Sequence, residues 1–560
     1  MSVNAFRAAL VVEGEYMAAW QYQMLERLLA SGGVRLVMVV FRQPVALTLL
    51  QRINAALLNT LHYIDGKLFK CPVAAQQPTS FLNLLGDVSV CDAGGKRYHA
   101  LLAQQALDVV IDLSAQAPLP ELIGAAKYGV WRHFFGQAFE RSDRYTGIRE
   151  YVNQQAEILS GIERWTAGNT APAYIFAATT STDGASINRG VERTLWKMVD
   201  FLPQRLQELL TLGEKTFFQN VTGRMQPLAL APPAKSASLG VVTTLQVLWR
   251  YLCNFLNKLF ISLFRAEQWI LLSKATGQVT EAGALEQFRK WLPPRDRFWA
   301  DPFVVEYGGE QYVFFEELIY ARGIGHLACV RLNADGSHSE PVTILEKPYH
   351  LSYPFVFQHQ GDYYMIPETA GNHTVEVYRC EDFPHRWVFE KNLMTGVEAY
   401  DATLMEYEGR WWLFASMRHD QRCSPSEALY LFHADDPLST QWQTHPQNPV
   451  VASAARARPA GRIFNAAGEW YRPSQNCAGT YGRGLNINRI QQLDVNTYRE
   501  QLVSAYLPDG QHDMNGMHTL GVSSPVSVAD AVHVHRRLGI VDRWVVKLNR
   551  FFSQPLVISS

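Results

Sequence analysis

The sequence predicts a multidomain chain of mixed class, an open parallel α/β domain over residues 1–227 followed by a five-bladed β-propeller over 268–540. Three observations predict it. The first 210 residues alternate β-branched runs with segments of helical periodicity, as in a parallel sheet covered by helices. The stretch ALAPPAKSASLG, within 228–240, has linker composition. Beyond it, one hairpin phrase is written four times, as FVVEYGGEQYVFFEE, FVFQHQGDYYMIPET, TLMEYEGRWWLFASM and RIFNAAGEWYRPSQ. Superposing the turn glycines Gly309, Gly361, Gly409 and Gly468 gives spacings of 52, 48 and 59 residues. A repeating hairpin with a period near 50 residues is the sequence mark of propeller blades.

In the first domain, RAALVVEGE reads as a strand, MAAWQYQMLERLLAS as a helix and VRLVMVVF as a buried strand. A second unit follows: helical RYHALLAQQAL, strand DVVIDLS, helical PLPELIGAA and strand-like KYGVWRHFF. Ligands of such sheets bind beyond the carboxyl ends of the strands, here near Glu13, Glu15 and Ser114. VVEGEYMAAW lacks the G-x-G-x-x-G of a dinucleotide site. The stretch LDVVIDLSAQAPLPELIGAAKYGVWRHFFG resembles the formyltransferase-like domains. Their transferring members carry an Asn and a His two positions apart after the Gly-Val. Aligned on Gly129 and Val130, this chain has Arg132 and Phe134, with His133 one place off on the other strand face. The resemblance therefore implies a fold and not formyl transfer.

Residues 228–267 read as a linker and an amphipathic connector. In TLQVLWRYLCNFLNKLFISLFR (244–265), Arg250, Asn254, Asn257, Lys258, Ser262 and Arg265 form one polar stripe against a wide Leu/Phe/Trp face. Two readings stand open. The apolar face packs the domains together, or it lies on an anionic membrane surface. A span would bury Arg250 and Lys258 at a cost of several kcal/mol. Residues 541–560 are a tail.

The net charge of −1 gives no pull toward nucleic acid, and RNP aromatics, a basic stripe and zinc-finger spacings are absent. Seven scattered cysteines without a C-x-x-C pair predict reduced thiols. The start MSVNAFRAALVVEGEYMAAW lacks signal-peptide features. A cytoplasmic protein, peripheral at the inner membrane face, is expected. No cofactor and no metal site are expected.

Inner propeller strands open at the channel mouth, so polar residues that begin a repeat can meet there from different blades. Eight residues before each turn glycine stand Asp301, Tyr353, Asp401 and Ala460. Seven after it stand Glu316, Glu368, Ser416 and Gln475. Paired carboxylates with separated pKa values are what glycosidic chemistry requires. Asp301, Asp401 and Glu368 are the candidate catalytic residues. Arg472, Gln475, Arg483 and His518 are candidates to hold substrate hydroxyls or phosphates.

Trp-x-Asp-Pro opening a five-bladed repeat resembles the furanosidase propellers. The resemblance implies Asp301 as base or nucleophile and Asp401 as second acid. Their general-acid Glu belongs to the fourth blade, where this chain has RPSQNCAGTYGRG and no Glu. FWADPF, PET, YDATL, RPSQNC and HTL together resemble the N-terminal domain of glucosamine inositolphosphorylceramide transferases. Bacterial proteins with that domain join it to a formyltransferase-like part in this order. The resemblance implies work on a sugar or glycolipid substrate in surface-glycan assembly, with glycosyl transfer as leading reaction. A furanosidase-type hydrolase and a non-catalytic glycan-binding scaffold are the alternatives.

Overall fold

The computed structural model describes residues 5–136, 146–225, 241–275, 288–333, 336–508, 513–523 and 526–536. The expected linker and the C-terminal tail lie outside them. The chain divides into two compact units, Met1–Leu252 with Asp420–Ser424, and Cys253–His419 with Pro425–Ser560.

The first unit is built on a seven-stranded sheet. Its order is Ser89–Asp92, Val34–Phe41, Phe6–Val12, Val109–Asp112, Val130–Phe135, Glu157–Trp165 and Ala173–Ser181. The first five strands are parallel; Glu157–Trp165 runs antiparallel to both its neighbours. Parallel central strands are covered on both faces, which is why AALVV and VVID read as unbroken apolar runs and are buried throughout. Strand order reverses between Phe6–Val12 and Val109–Asp112. There the Glu13 carboxylate accepts from the Ala115 N–H at 3.1 Å, and Asp112 accepts from the Ser114 hydroxyl at 2.7 Å.

The second unit is a propeller of five four-stranded sheets. Blades 1 to 4 start at Arg297–Tyr307, Ser352–His359, Ala399–Tyr407 and Phe464–Ala466. Blade 5 is closed by both ends of the unit: Leu520–Val522 and Val526–Arg536 pair in one sheet with Arg265–Ala275 and Arg289–Trp291. Joining the ends removes a free sheet edge and ties the ring shut.

The repeated phrase has a local cause. In all four copies the hairpin loop is two residues long, Gly308–Gly309, Gln360–Gly361, Glu408–Gly409 and Ala467–Gly468, and both residues have positive φ. That is the turn whose twist matches two right-twisted strands, and its second position favours glycine. The turns sit at the outer rim of each hairpin and fix its register, so the residues at fixed offsets from them fall at equivalent places in each blade.

Candidate functional site

The inner strands of blades 1 to 3 each carry an irregularity at the same place. Their pairing registers shift between Ala300 and Phe303, Ser352 and Phe355, and Tyr400 and Thr403. Inside each bulge one residue is left-handed: Asp301 (φ 53°), Tyr353 (φ 48°) and Asp401 (φ 55°). These are the first three residues of the offset series read from the sequence. A non-glycine residue in this region costs about 1–2 kcal/mol. The bulge takes its side chain out of the strand ladder, and hydrogen bonds between blades show where it goes. The Asp301 carboxylate accepts from the Tyr353 N–H at 3.2 Å. The Tyr353 hydroxyl bonds Thr403 at 2.8 Å and accepts from the Gly461 N–H at 2.7 Å. Tyr353 is fully buried.

Two buried charge clusters, one around Asp401 and one around Asp301, lie near enough for the two acids to interact. In the first, Arg458 donates through Nε to Asp401 Oδ2 at 2.5 Å and through Nη2 to Asp401 Oδ1 at 3.3 Å. The same Nη2 reaches Glu368 Oε2 at 3.1 Å, and Gln475 donates to Asp401 Oδ2 at 2.8 Å. The guanidinium lies 5.3 Å from the Tyr400 ring and 5.2 Å from that of Tyr481. Tyr481 is half-exposed, an aromatic face at the rim of a polar hollow.

The second cluster joins Asp301 to blade 5. Thr519 donates to Asp301 Oδ1 at 2.6 Å, and His518 Nδ1 lies 2.7 Å from Asp530 Oδ2 and 3.4 Å from Asp301 Oδ1. Asp530 is fully buried and is held by three backbone donors, the N–H groups of Asp301, His518 and Thr519. The His518 ring stacks on Trp269 at 4.0 Å. Asp301, His518 and Asp530 each bring one ligand-capable atom within 4.8 Å of the others, the one such group among the described residues. Every oxygen of the two carboxylates already accepts a hydrogen bond, so the hydrogen-bonded network accounts for the arrangement.

Burial and like charge separate the titrations. Burial, reinforced by Asp401 and Asp530 and opposed by His518, pushes the Asp301 carboxyl up to about 6. Burial and the Asp401 charge push Glu368 well above the carboxylate range, against the pull of Arg458. Glu316, buried beside the same acids, is raised likewise. For His518 burial works against the charged ring, but Asp530 and Asp301 outweigh it and raise its pKa. Glu368 and Asp301 are thus both shifted toward the protonated form, Asp301 to about 6.

The structure brings Asp301, Asp401, Glu368, Gln475 and His518 together and places the two remaining candidates elsewhere. Arg472 is fully buried on the other side of its strand, paired with Glu500 at 2.8 Å, so its guanidinium is occupied away from the carboxylates. Alternation along Glu469–Asn476 is the reason: Gln475 and Arg472 are three residues apart and face opposite ways. Arg483 is exposed and donates to the Ala478 carbonyl of its own loop at 3.3 Å. Sequence reasoning missed Arg458 and Asp530. Arg458 lies in RARPAGR, just before the fourth phrase begins. Asp530 is the single acid of VSVADAVHV, a lone charge in an apolar strand that could have been noticed.

In the first unit, Arg132 is buried and pairs with Asp112 at 3.5 Å while donating to the Ser114 carbonyl. His133 is also buried, and loss of hydration lowers its pKa to about 3. Neither is placed to deprotonate an amine.

Residues 293–523 match the family model described as glucosamine inositolphosphorylceramide transferase 1, N-terminal. The curated protein named glucosamine inositolphosphorylceramide transferase 1 from Oryza sativa subsp. japonica is 35% identical over 226 residues, 39% of this chain and 30% of that protein. Its Arabidopsis thaliana namesake is 32% identical over 226 residues, 39% of this chain and 29% of that protein. Among solved structures, a family 117 glycoside hydrolase from Zobellia galactanivorans is 12% identical, with a TM-score of 0.31, over 49% of this chain and 91% of its own. At that level of likeness it bears on neither activity nor substrate. The chain spans about 30% of the length of the curated relatives it matches. Its propeller is homologous to the N-terminal domain of glucosamine inositolphosphorylceramide transferases.

Proposed function

We propose that the hollow at the propeller mouth is the active site of a glycosyl-transferring protein of glycolipid or surface-glycan assembly. One observation carries the reading: Asp301 and Glu368, from different blades, are buried near enough to interact, both with raised carboxyl groups, beside an Asp401 fixed by Arg458. Pairs of carboxyl groups set apart in this way divide the work of acid and base. Asp301, with its pKa of about 6, takes the proton of the attacking hydroxyl as the new glycosidic bond forms. Glu368, its carboxyl raised by burial and by Asp401, gives a proton to the leaving oxygen or donates a hydrogen bond to a sugar hydroxyl. Asp401 and Arg458 form a fixed charge pair, Gln475 holds Asp401 in place, and the half-exposed Tyr481 gives a sugar ring a stacking face. His518, held by Asp530, keeps a donor against Asp301 and favours its ionised form.

The homology supports a sugar donor and a glycolipid acceptor, as the relatives' name states for them. Hydrolysis would use the same two carboxyl groups with water in place of the acceptor. The formyltransferase-like reading of the first unit is retained as a proposal about fold alone.

The test is a mass-spectrometric comparison of glycolipids and surface glycans from cells carrying the wild-type chain, a deletion, Asp301→Asn or Glu368→Gln. Loss of the same sugar in the deletion and both point variants supports the reading. A glycan change in the deletion that both point variants lack would leave a binding scaffold as the better account.

A further inference from the structure

The helix Val241–Phe264 is inside out for a helix in water. Ordinarily the apolar stripe of an amphipathic helix turns to the protein and the polar stripe to solvent. Here Val247 is fully buried, and its neighbours on that side, at three- and four-residue steps, are Thr243, Thr244, Arg250, Tyr251 and Asn254, all partly buried. The side turned to the protein thus carries Arg250 and Asn254 of the polar stripe, while Asn257 and Lys258 further along it are exposed. The anchor is specific. The Tyr251 hydroxyl donates to Asp65 at 2.5 Å, and its ring packs 5.8 Å from Phe69 and 5.6 Å from Tyr151. Asp65 is fully buried and also caps the helix Ile187–Met198 through the N–H groups of Ile187 and Asn188. The helix is thus fixed in rotation, and its other face is held outward.

That outward face is apolar along its length. Val242 is 69% exposed, Leu245 61%, Trp249 66%, Leu252 48%, Phe255 65% and Leu256 52%. So long a contiguous stripe of leucine and aromatic side chains is far beyond the scattered apolar exposure of ordinary surfaces. The helix carries Arg250 and Lys258, is followed by Arg265, and holds no acidic residue. Among the described residues no helix is long and apolar enough to cross a membrane. Cations without acids, beside a Leu/Trp/Phe stripe on a rotationally fixed helix, match an anionic bilayer surface, into which the stripe can sink while the side carrying Arg250 and Asn254 stays with the protein.

We infer that Val241–Phe264 is a membrane-surface anchor: it lies in the plane of an anionic bilayer with the stripe from Val242 to Leu256 in the acyl boundary. The inference stands on this helix alone and does not depend on the chemistry assigned to the propeller. Of the two readings left open by the sequence, it takes the membrane surface.

The test is co-sedimentation of the full chain with phosphatidylcholine vesicles, with and without phosphatidylglycerol. The wild type binds the anionic vesicles more tightly than the neutral ones. Trp249→Glu with Leu256→Glu lowers that binding by at least about tenfold, since two large apolar side chains no longer enter the bilayer. Both residues are exposed, so the melting temperature does not change. Lys258→Gln lowers binding to anionic vesicles by about fivefold and leaves binding to neutral ones as it was. Vesicle binding unchanged in the Trp249/Leu256 variant would overturn the inference. So would a wild type that ignores vesicles but self-associates in a manner these substitutions abolish, which would make the face a contact between copies.

Discussion

Arg458→Met is the most informative single change in the propeller. Arg458 is 8% exposed and makes three contacts of 3.3 Å or less with two buried acids, of which Asp401 is 1% exposed. Methionine fills much of the same volume but strips buried Asp401 of its guanidinium partner. Removing one partner of a buried ion pair costs about 3–5 kcal/mol, most of it the penalty of the stranded charge. With two compact units in the chain, a single unfolding free energy is not well defined. Hydrogen exchange of the peptide spanning Ala399–Tyr407 reads the propeller alone. The loss translates into a fall in protection of about 10²- to 5 × 10³-fold. Adding Asp401→Asn removes the stranded charge, so the double variant recovers most of the protection. A fall under about tenfold, or a second substitution that adds to the damage, would refute the view that Arg458 exists to hold Asp401 and Glu368.

Three further outcomes follow from the same geometry. Asp301 has a raised folded pKa, so its contribution to stability is complete below the unfolded value near 3.8 and is lost as the pH rises through about 6. Between about pH 4 and about pH 7.5 the wild-type propeller therefore loses up to about 3 kcal/mol that Asp301→Asn does not, read as exchange protection over Arg297–Tyr307. Arg472→Met lowers stability by about 3–5 kcal/mol through its buried Glu500. Any sugar product formed per folded molecule is unchanged, because Arg472 lies away from the hollow. Gly461→Ala fails to give a soluble propeller: at φ 123° its Cβ would sit 2.1 Å from the Leu520 carbonyl oxygen, and the chain must part there. Wild-type yields of soluble Gly461→Ala would contradict the close approach of blades 4 and 5.

The repeat was legible because its turns are chemically constrained. Two-residue hairpins with two positive φ angles leave a glycine in every copy, and that glycine sets the frame in which Asp301, Tyr353 and Asp401 fall together. The frame located three bulges without revealing them. That Tyr353 is buried against Thr403 and Gly461, while its two neighbours in the series meet charges, depends on side-chain size and on contacts between blades. Arg458 escaped for a related reason. It precedes the repeated phrase, and its partners Glu368 and Asp401 are 90 and 57 residues away. Arg472 and Gln475 were named together as substrate-binding candidates, whereas alternation along a strand sends them to opposite faces. For the connector helix, the polar and apolar stripes were plain in the sequence. Which side of the helix met the protein was decided by Tyr251 and Asp65, a contact across 186 residues that no local pattern encodes.

The most direct test of the proposed activity is to incubate the purified chain with an activated hexosamine donor and vesicles containing inositolphosphorylceramide, and to weigh the lipids. The proposed roles of Asp301 and Glu368 predict a lipid heavier by one sugar residue, formed by the wild type and lost in both Asp301→Asn and Glu368→Gln. Equal product from the wild type and Asp301→Asn would contradict them.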